Sequence, residues 1–507
     1  MSSTRRQFLL QTAAGVIACA ASDGAPQFTC GNPKLQQAYT AAVAGLEANL
    51  QSVFRFPRPV LLEGATYAGV WLECAPLEGL VYAPLSPDTA LANHEVFFDL
   101  QREDGYLPCN VKKTILGTGQ IQMVVPIAAT AWDLYRRNRS AAFLEKTYSA
   151  CSRWDEWLVR YRNTRGSGLC EAFCTYDTGH DNSPRFLGKS RQCPQADARI
   201  CPPDDGLPYL APDLSATVYG GRIALAAMAR EMGRTAEESR WLESAEAIRK
   251  LILDRLYDAR DAAFYDIDSH DRFVRIRGDA ITRVMGEHVA DGKLFDEVYR
   301  RQLHNPSAFW TPYPFPSIAA DDPAFVRPIP RNSWGGATQA LTALRTPRWM
   351  EHYGKYADFT HLMTRWVEAL VRSGQFLQQM DPENGEFSPD RGAYSPAMLA
   401  LFDFVWRLYG VRPLSNTIEW NCRLPEDTPS TTAKWGTAEL QNDHTGSSLT
   451  LAGKQIAKIH GIARLETTND GKPLRLIATE PRAVTVLLQT GRRASTHNLN
   501  PDSVKAL

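Results

Sequence analysis

The chain has no surplus of charge. Its 507 residues carry 56 Lys and Arg against 56 Asp and Glu, and no basic run occurs. A neutral chain of this kind has no electrostatic footprint for nucleic acid. Also missing are a Gly-rich phosphate loop, a Ser-centred nucleophile elbow and a His-Glu-x-x-His pair, so three common routes to catalysis are unwritten. Cys170 and Cys174 lack His partners at zinc spacing, and neither a metal nor a cofactor is expected. Beyond Ala20 no stretch is long and apolar enough to span a bilayer. What is present suits an ordinary globular protein: 44% hydrophobic and 22% charged residues bury a large core and exclude disorder as the dominant state. Twelve Trp, 18 Tyr and 20 Phe serve mainly that core, and such rings also stack on flat apolar ligand faces.

Residues 1–28 read as an export signal. Arg5-Arg6 precede the apolar stretch Phe8 to Ala20, and paired arginines followed by Phe8-Leu9 resemble the twin-arginine type. Val16-Ile17-Ala18-Cys19 also resembles a lipobox, so a lipid anchor at Cys19 is the one membrane attachment expected; ordinary cleavage near Ala18-Cys19-Ala20 gives a soluble periplasmic or extracytoplasmic product. In an oxidising compartment Cys193 and Cys201, in a Pro-rich loop, are a candidate disulfide.

Periodicity divides the rest in two. Tyr39, Val43, Leu46, Leu50 and Val53 form one helical stripe. Further helices are predicted over 88–100, 120–137, 140–161, 212–232, 235–257, 292–304, 334–343, 349–373 and 395–410. Long loops rich in Gly, Pro and aromatics separate them at 57–87, 162–211, 305–333 and 374–394, and such loops on a helical scaffold carry function. Alternating short and long loops suggest a ring of hairpins over 29–410. From 411 to 507 the pattern turns to short alternating apolar stretches, such as Val484-Thr485-Val486-Leu487-Leu488, with turns like Asn469-Asp470-Gly471, predicting a small β domain.

One loop concentrates chemistry. Cys174 to Phe186 holds Asp177, His180, Asp181, Asn182 and Arg185, with Gly179 and Pro184 shaping it; by itself Asp181-Asn182-Ser183-Pro184 equally suits a turn and helix cap. Gly179-His180-Asp181-Asn182-Ser183-Pro184-Arg185 resembles the Asp-Asn-Ser-Pro-Arg signature of the mannosylglycerate and glucosylglycerate hydrolases, and more distantly processing α-glucosidases and trehalases. The likeness continues in order through Gln120–Pro126, Pro212–Ala216, Ser333–Gly336, Met380–Glu386 and Tyr394–Ala397. It implies a mainly α fold, an (α/α)6 toroid with a small C-terminal β domain, and an inverting hydrolase acting on a small glycoside or an oligosaccharide end.

That chemistry needs two carboxylates across the scissile bond. The resemblance implies Asp181 as proton donor, with Asp177 supplying a charge that raises it, Asn182 and Arg185 binding sugar or orienting the acid, and His180 at the rim. The related enzymes place their base where this chain has Gln378, which cannot accept a proton. Glu386 is the expected substitute, with Glu383, Asp381, Glu73 and Glu78 as alternatives. Trp71 with Glu73, Trp334 and Asp213 complete the candidate saccharide contacts. Two other readings stay open: a saccharide-binding protein on the same ring that no longer hydrolyses, which Gln378 favours, and a toroidal lyase or epimerase.

Overall fold

The computed structural model describes residues 24–507 except Ala65. Arg5-Arg6, the apolar segment and Cys19 lie outside the described residues. The strand Gln27–Cys30 runs across the boundary placed at residue 28 and pairs with Ser430–Trp435 at the edge of a C-terminal sheet.

From Pro33 to Tyr409 the chain is built of helical pairs. Pro33–Ala48 opens on Asn32, whose side chain accepts from the Lys34 and Leu35 amides at 3.1 and 3.3 Å. Ala141–Tyr161 is capped by Ser140 in the same way. Tyr356–Ser373 ends at Gly374 in the left-handed conformation that stops a helix cheaply. Six helices form a series, each packed on the next except the fourth on the fifth: Ala75–Tyr82, Ile127–Asn138, Pro212–Glu231, Ala280–Gly286, Ala340–Arg345 and Ser395–Tyr409. Asp279 joins the fourth to the fifth by accepting from Thr342 and Arg345, and the sixth returns to the first. Pro33–Ala48, Pro87–Asp99, Ala141–Tyr161, Thr235–Leu251 and Tyr356–Ser373 lie outside them as partners.

The long loops all enter at the N-terminal ends of the six inner helices. Glu73, Gln122, Asp213, Asp279, Gln339 and Tyr394 therefore stand at or just before a helix start. Unpaired amide groups there carry partial positive charge, which suits a mouth lined by carboxylates.

Several boundaries differ from the periodicity. Leu50 and Val53 leave the first helix for the strand Leu50–Val53, paired with Phe56–Leu61. The helix expected from 120 begins at Ile127, because Gln122 sits at φ 44° and the segment is extended. The helix expected over 334–343 starts only at Ala340. Gly336 at φ 150° breaks it, and Thr338–Gln339 pairs with Gln379–Met380. Ala75–Tyr82 lies inside the segment read as loop; eight residues are too few for periodicity to register.

From Val411 the chain forms two antiparallel sheets. The seven-stranded one includes Gln27–Cys30, and the five-stranded one is centred on Thr417–Cys422 and Ala463–Thr468. Trp406 of the last helix packs edge-on against Trp435 and Phe28, so the sheets share a core with the helices.

Candidate active site

Asp181 follows the 3-10 turn Thr175–Thr178 and Gly179, and is only partly exposed. Its main-chain carbonyl accepts from the Trp334 amide at 3.0 Å, and its Oδ2 accepts from Asn332 Nδ2 at 3.2 Å. Burial raises its carboxyl above the ordinary range, while the Asn332 bond and the Arg191 charge oppose the rise. The Asn332 amide is itself oriented: Gln378 Nε2 donates to Asn332 Oδ1 at 2.9 Å, and Tyr67 Oη donates to Gln378 Oε1 at 3.1 Å. The side chain at the expected base position is thus the middle of a relay directed at Asp181.

Three more carboxylates gather in and just before the helix Ala75–Tyr82 and after the strand Phe56–Leu61. Glu63 Oε1 accepts from Tyr394 Oη at 2.8 Å. Burial and the charges of Glu73 and Glu78 push Glu63 well up. Glu73 is 9% exposed, its Oε2 has no hydrogen-bond partner, and ligand atoms of Glu63, Glu73 and Cys74 lie within 4.8 Å of one another. Burial and the Asp181 charge push Glu73 up to about 7, against Arg283, Gln122 and Arg345. Glu78 lies deeper, fully buried, and burial pushes it up to about 8. Trp71 is buried beside them, edge-on to Tyr67, with Lys112 Nζ 5.5 Å from its ring.

Several expected site residues are instead in the frame beneath. Asp177 is wholly buried in an ion pair with Arg162, and its oxygens also accept from the Ile121, Phe173 and Cys174 amides. Arg162 neutralises it, so it supplies no free charge to Asp181. Arg185 is buried and forks onto Asp266 and Asp213 at 2.6–2.7 Å, leaving nothing for a sugar. Asp213 is held ionised: burial opposes ionisation, and the charges of Arg185 and Arg283 outweigh it. His180 is not at a rim. It is buried against Thr178, Arg185 and Asp279, and burial, with Arg283, lowers it to about 3. Trp334 is 2% exposed, edge-on to His180 and flanked by Arg283 and Arg345, so neither face is open as a platform. Arg283 also donates to the Thr178 carbonyl at 2.5 Å, tying this charged lattice to the loop before Asp181.

Asn182, exposed at φ 55°, donates from Nδ2 to the Asn332 carbonyl at 2.7 Å. Glu386 is a correction. It is exposed on the tight turn 381–387, where Asp381 and Asn384 accept from the amides of Glu383 and Glu386, so both glutamates face outward. Cys193 and Cys201 are unbonded thiols, and Cys193 Sγ lies 3.9 Å from Cys174 instead. Cys174, Asp177 and Cys193 bring ligand atoms together, but the Arg162 guanidinium already supplies the positive charge there. Glu63, Tyr67 and Asn332 were not foreseen, and Tyr394 stood out only as part of the run Tyr394–Ala397. The signal available was a lone Glu between Leu61-Leu62 and Gly64, with aromatic residues just after it.

Carboxylates gathered near the N-terminal ends of packed helices, with Tyr67 and Trp71 beside them, are an arrangement that glycoside hydrolases can use. Solved enzymes of that class share the fold. The GH63 mannosylglycerate hydrolase from Thermus thermophilus superposes with a TM-score of 0.61 over 72% of this chain and 99% of its own, at 16% identity. The neutral trehalase Nth1 from Saccharomyces cerevisiae gives 0.55 over 72% and 79%, at 13% identity. The model of the mannosylglycerate hydrolase MGH1-like glycoside hydrolase domain matches residues 70–397, and the chain belongs to this family. A mannosylglycerate hydrolase from Rubrobacter radiotolerans is 28% identical over 181 residues, which span 30% of this chain and 40% of that protein's length.

Proposed function

We propose that the chain is an exported glycoside hydrolase of (α/α)6 toroid architecture that cleaves a small glycoside, or the end of an oligosaccharide, with inversion. The observation that carries this is Asp181: a partly buried carboxyl, raised by burial, held by Asn332 and close enough for its charge to act on Glu73. A raised acid is what protonation of a leaving oxygen requires, and a second carboxylate is what water activation on the opposite face requires. The order of the six inner helices, with all loops at their N-terminal ends, supports the toroid. Arg5-Arg6 ahead of an apolar stretch supports export. Since a related solved structure is a mannosylglycerate hydrolase, mannosylglycerate is the first glycoside to offer, with glucosylglycerate beside it.

The test is sugar release from both compounds by wild type and by D181N, with the anomer of the fresh product read by proton NMR. The expected result is an inverted anomer from wild type and a loss of about 10²–10⁴-fold in D181N. Retention of anomeric configuration, or a fully active D181N, overturns the reading. Gln378 at the expected base position favours one alternative, a saccharide-binding protein without turnover. That alternative predicts binding of the same compounds by calorimetry, unaccompanied by release.

A further inference from the structure

Resting on the hydrolase reading, we propose that Glu73 is the second catalytic carboxylate, the base that activates water, and that Gln378 is a positioning residue for Asp181. Among the gathered carboxylates Glu73 is the one free to act. Glu63 is engaged by Tyr394, Glu386 is on an exposed turn, and Glu78, whose two oxygens are also unpartnered, is fully buried within Ala75–Tyr82 with no exposure to a substrate. Glu73 is nine-tenths buried, yet its Oε2 has no hydrogen-bond partner. That oxygen rests against the loop carrying the acid: a Cβ built on Gly179 would lie 1.8 Å from it. Gly179 and Asp181 are two residues apart, a span of at most roughly 7 Å of chain. Inverting enzymes hold their two carboxyls about 6.5–9.5 Å apart to leave room for a water, and that is the separation this assignment requires.

The electrostatics couple the two carboxyls. Asp181 is the neighbour whose charge most raises Glu73, whereas Arg283 and Arg345 favour its ionised form. The pair titrates as a unit, and the reaction starts from the form with its one proton on Asp181 and Glu73 ionised, the form Arg283 and Arg345 favour. Glu73 takes a proton from water as the water oxygen bonds to the anomeric carbon. The glycosidic C–O bond breaks with its electron pair on the leaving oxygen, and Asp181 protonates that oxygen. Exchange with solvent then returns each carboxyl to its starting state.

Gln378 is committed elsewhere. Its Oε1 accepts from Tyr67 and its Nε2 donates to Asn332, which fixes the Asn332 amide as a donor to Asp181. A carboxylate at 378 would lose that donation and face the Asn332 oxygen.

The decisive experiment separates acid from base by leaving group. Wild type, D181N, E73Q and E73A are assayed on mannosylglycerate and on α-mannosyl fluoride, and on the glucosyl pair, with circular dichroism confirming the fold. Fluoride departs without a proton donor. D181N is therefore expected to lose at least about 10²-fold on the glycerate while keeping fluoride turnover within about tenfold, and E73Q to lose about 10²–10⁴-fold on both. In E73A, added azide should form a glycosyl azide of inverted configuration, a product that a structural lesion does not yield. E73Q retaining fluoride turnover within a few-fold of wild type, or azide having no effect on a folded E73A, overturns the assignment. Wild type inactive on all four compounds overturns the hydrolase reading first, and this assignment with it.

Discussion

Gly179→Ala separates the site from the scaffold with a single methyl group. Gly179 holds φ 63°, where an L side chain costs about 1–2 kcal/mol. A domain stable by about 5–15 kcal/mol survives that. The larger consequence falls on Glu73. The new Cβ lies 1.8 Å from Glu73 Oε2, and ordinary contact begins near 3.4 Å, so the oxygen retreats by about 1.6 Å. The clashing atom is the end of a side chain, so the carboxylate moves and the backbone stays. Misplacement of a reacting group by about 1 Å costs about 10²-fold in rate. G179A should therefore lose about 10²-fold or more in kcat, while its urea-unfolding free energy falls by only about 1–2 kcal/mol. The double variant G179A/E73Q should be little slower than E73Q, because both lesions remove the same group. Near-normal kcat in G179A, or additive losses in the double variant, would refute the placement of Glu73 against this loop.

The remaining predictions concern the frame and the relay. D177N leaves Arg162 buried without its counter-charge and should cost about 3–5 kcal/mol in urea unfolding; a change below about 0.5 kcal/mol would contradict the buried ion pair. Q378E breaks the relay to Asp181 and should lower kcat by about tenfold or more, the cost of a mispositioned acid; a gain in turnover would return water activation to position 378. Stability should fall toward alkaline pH. Glu73 and Glu78 are raised to about 7 and 8 from 4.5, so their contribution is full below 4.5 and is lost as pH rises through 7 and 8. It should also fall toward acid pH. His94 and His180, lowered to about 4 and 3 from 6.5, contribute fully above 6.5 and lose that as pH drops through 4 and 3. Urea midpoints that keep rising from pH 6 to 9 in wild type, or an alkaline limb no flatter in E73Q, would contradict the first statement.

How much was readable depended on the range over which each signal acts. Long amphipathic helices such as Ala141–Tyr161 and Tyr356–Ser373 announce themselves, since an apolar stripe repeats over several turns within one segment. The family was legible too, in the ordered islands around Asp181-Asn182-Ser183-Pro184. Roles within the site were not. Asp177, His180 and Arg185 have the residue types of a binding loop, yet Arg162, Asp279, Asp213 and Asp266 consume them, and those partners are up to 99 residues away.

The sequence alone determined the helix-rich body, the change to strands after Gly410, the kinship with a hydrolase family, and the loss of a carboxylate at Gln378. Each is local, or a matter of residue order, and survives without coordinates. Tertiary structure decided which acids share one mouth. Glu63 and Glu73 come before Ala75–Tyr82, Asp181 from a loop more than 100 residues later, and Gln378 and Asn332 from later still. Their convergence, and the burial that sets which of them ionise, arise only when six helix starts close on one another, because charge and desolvation act through space and carry no mark along the chain.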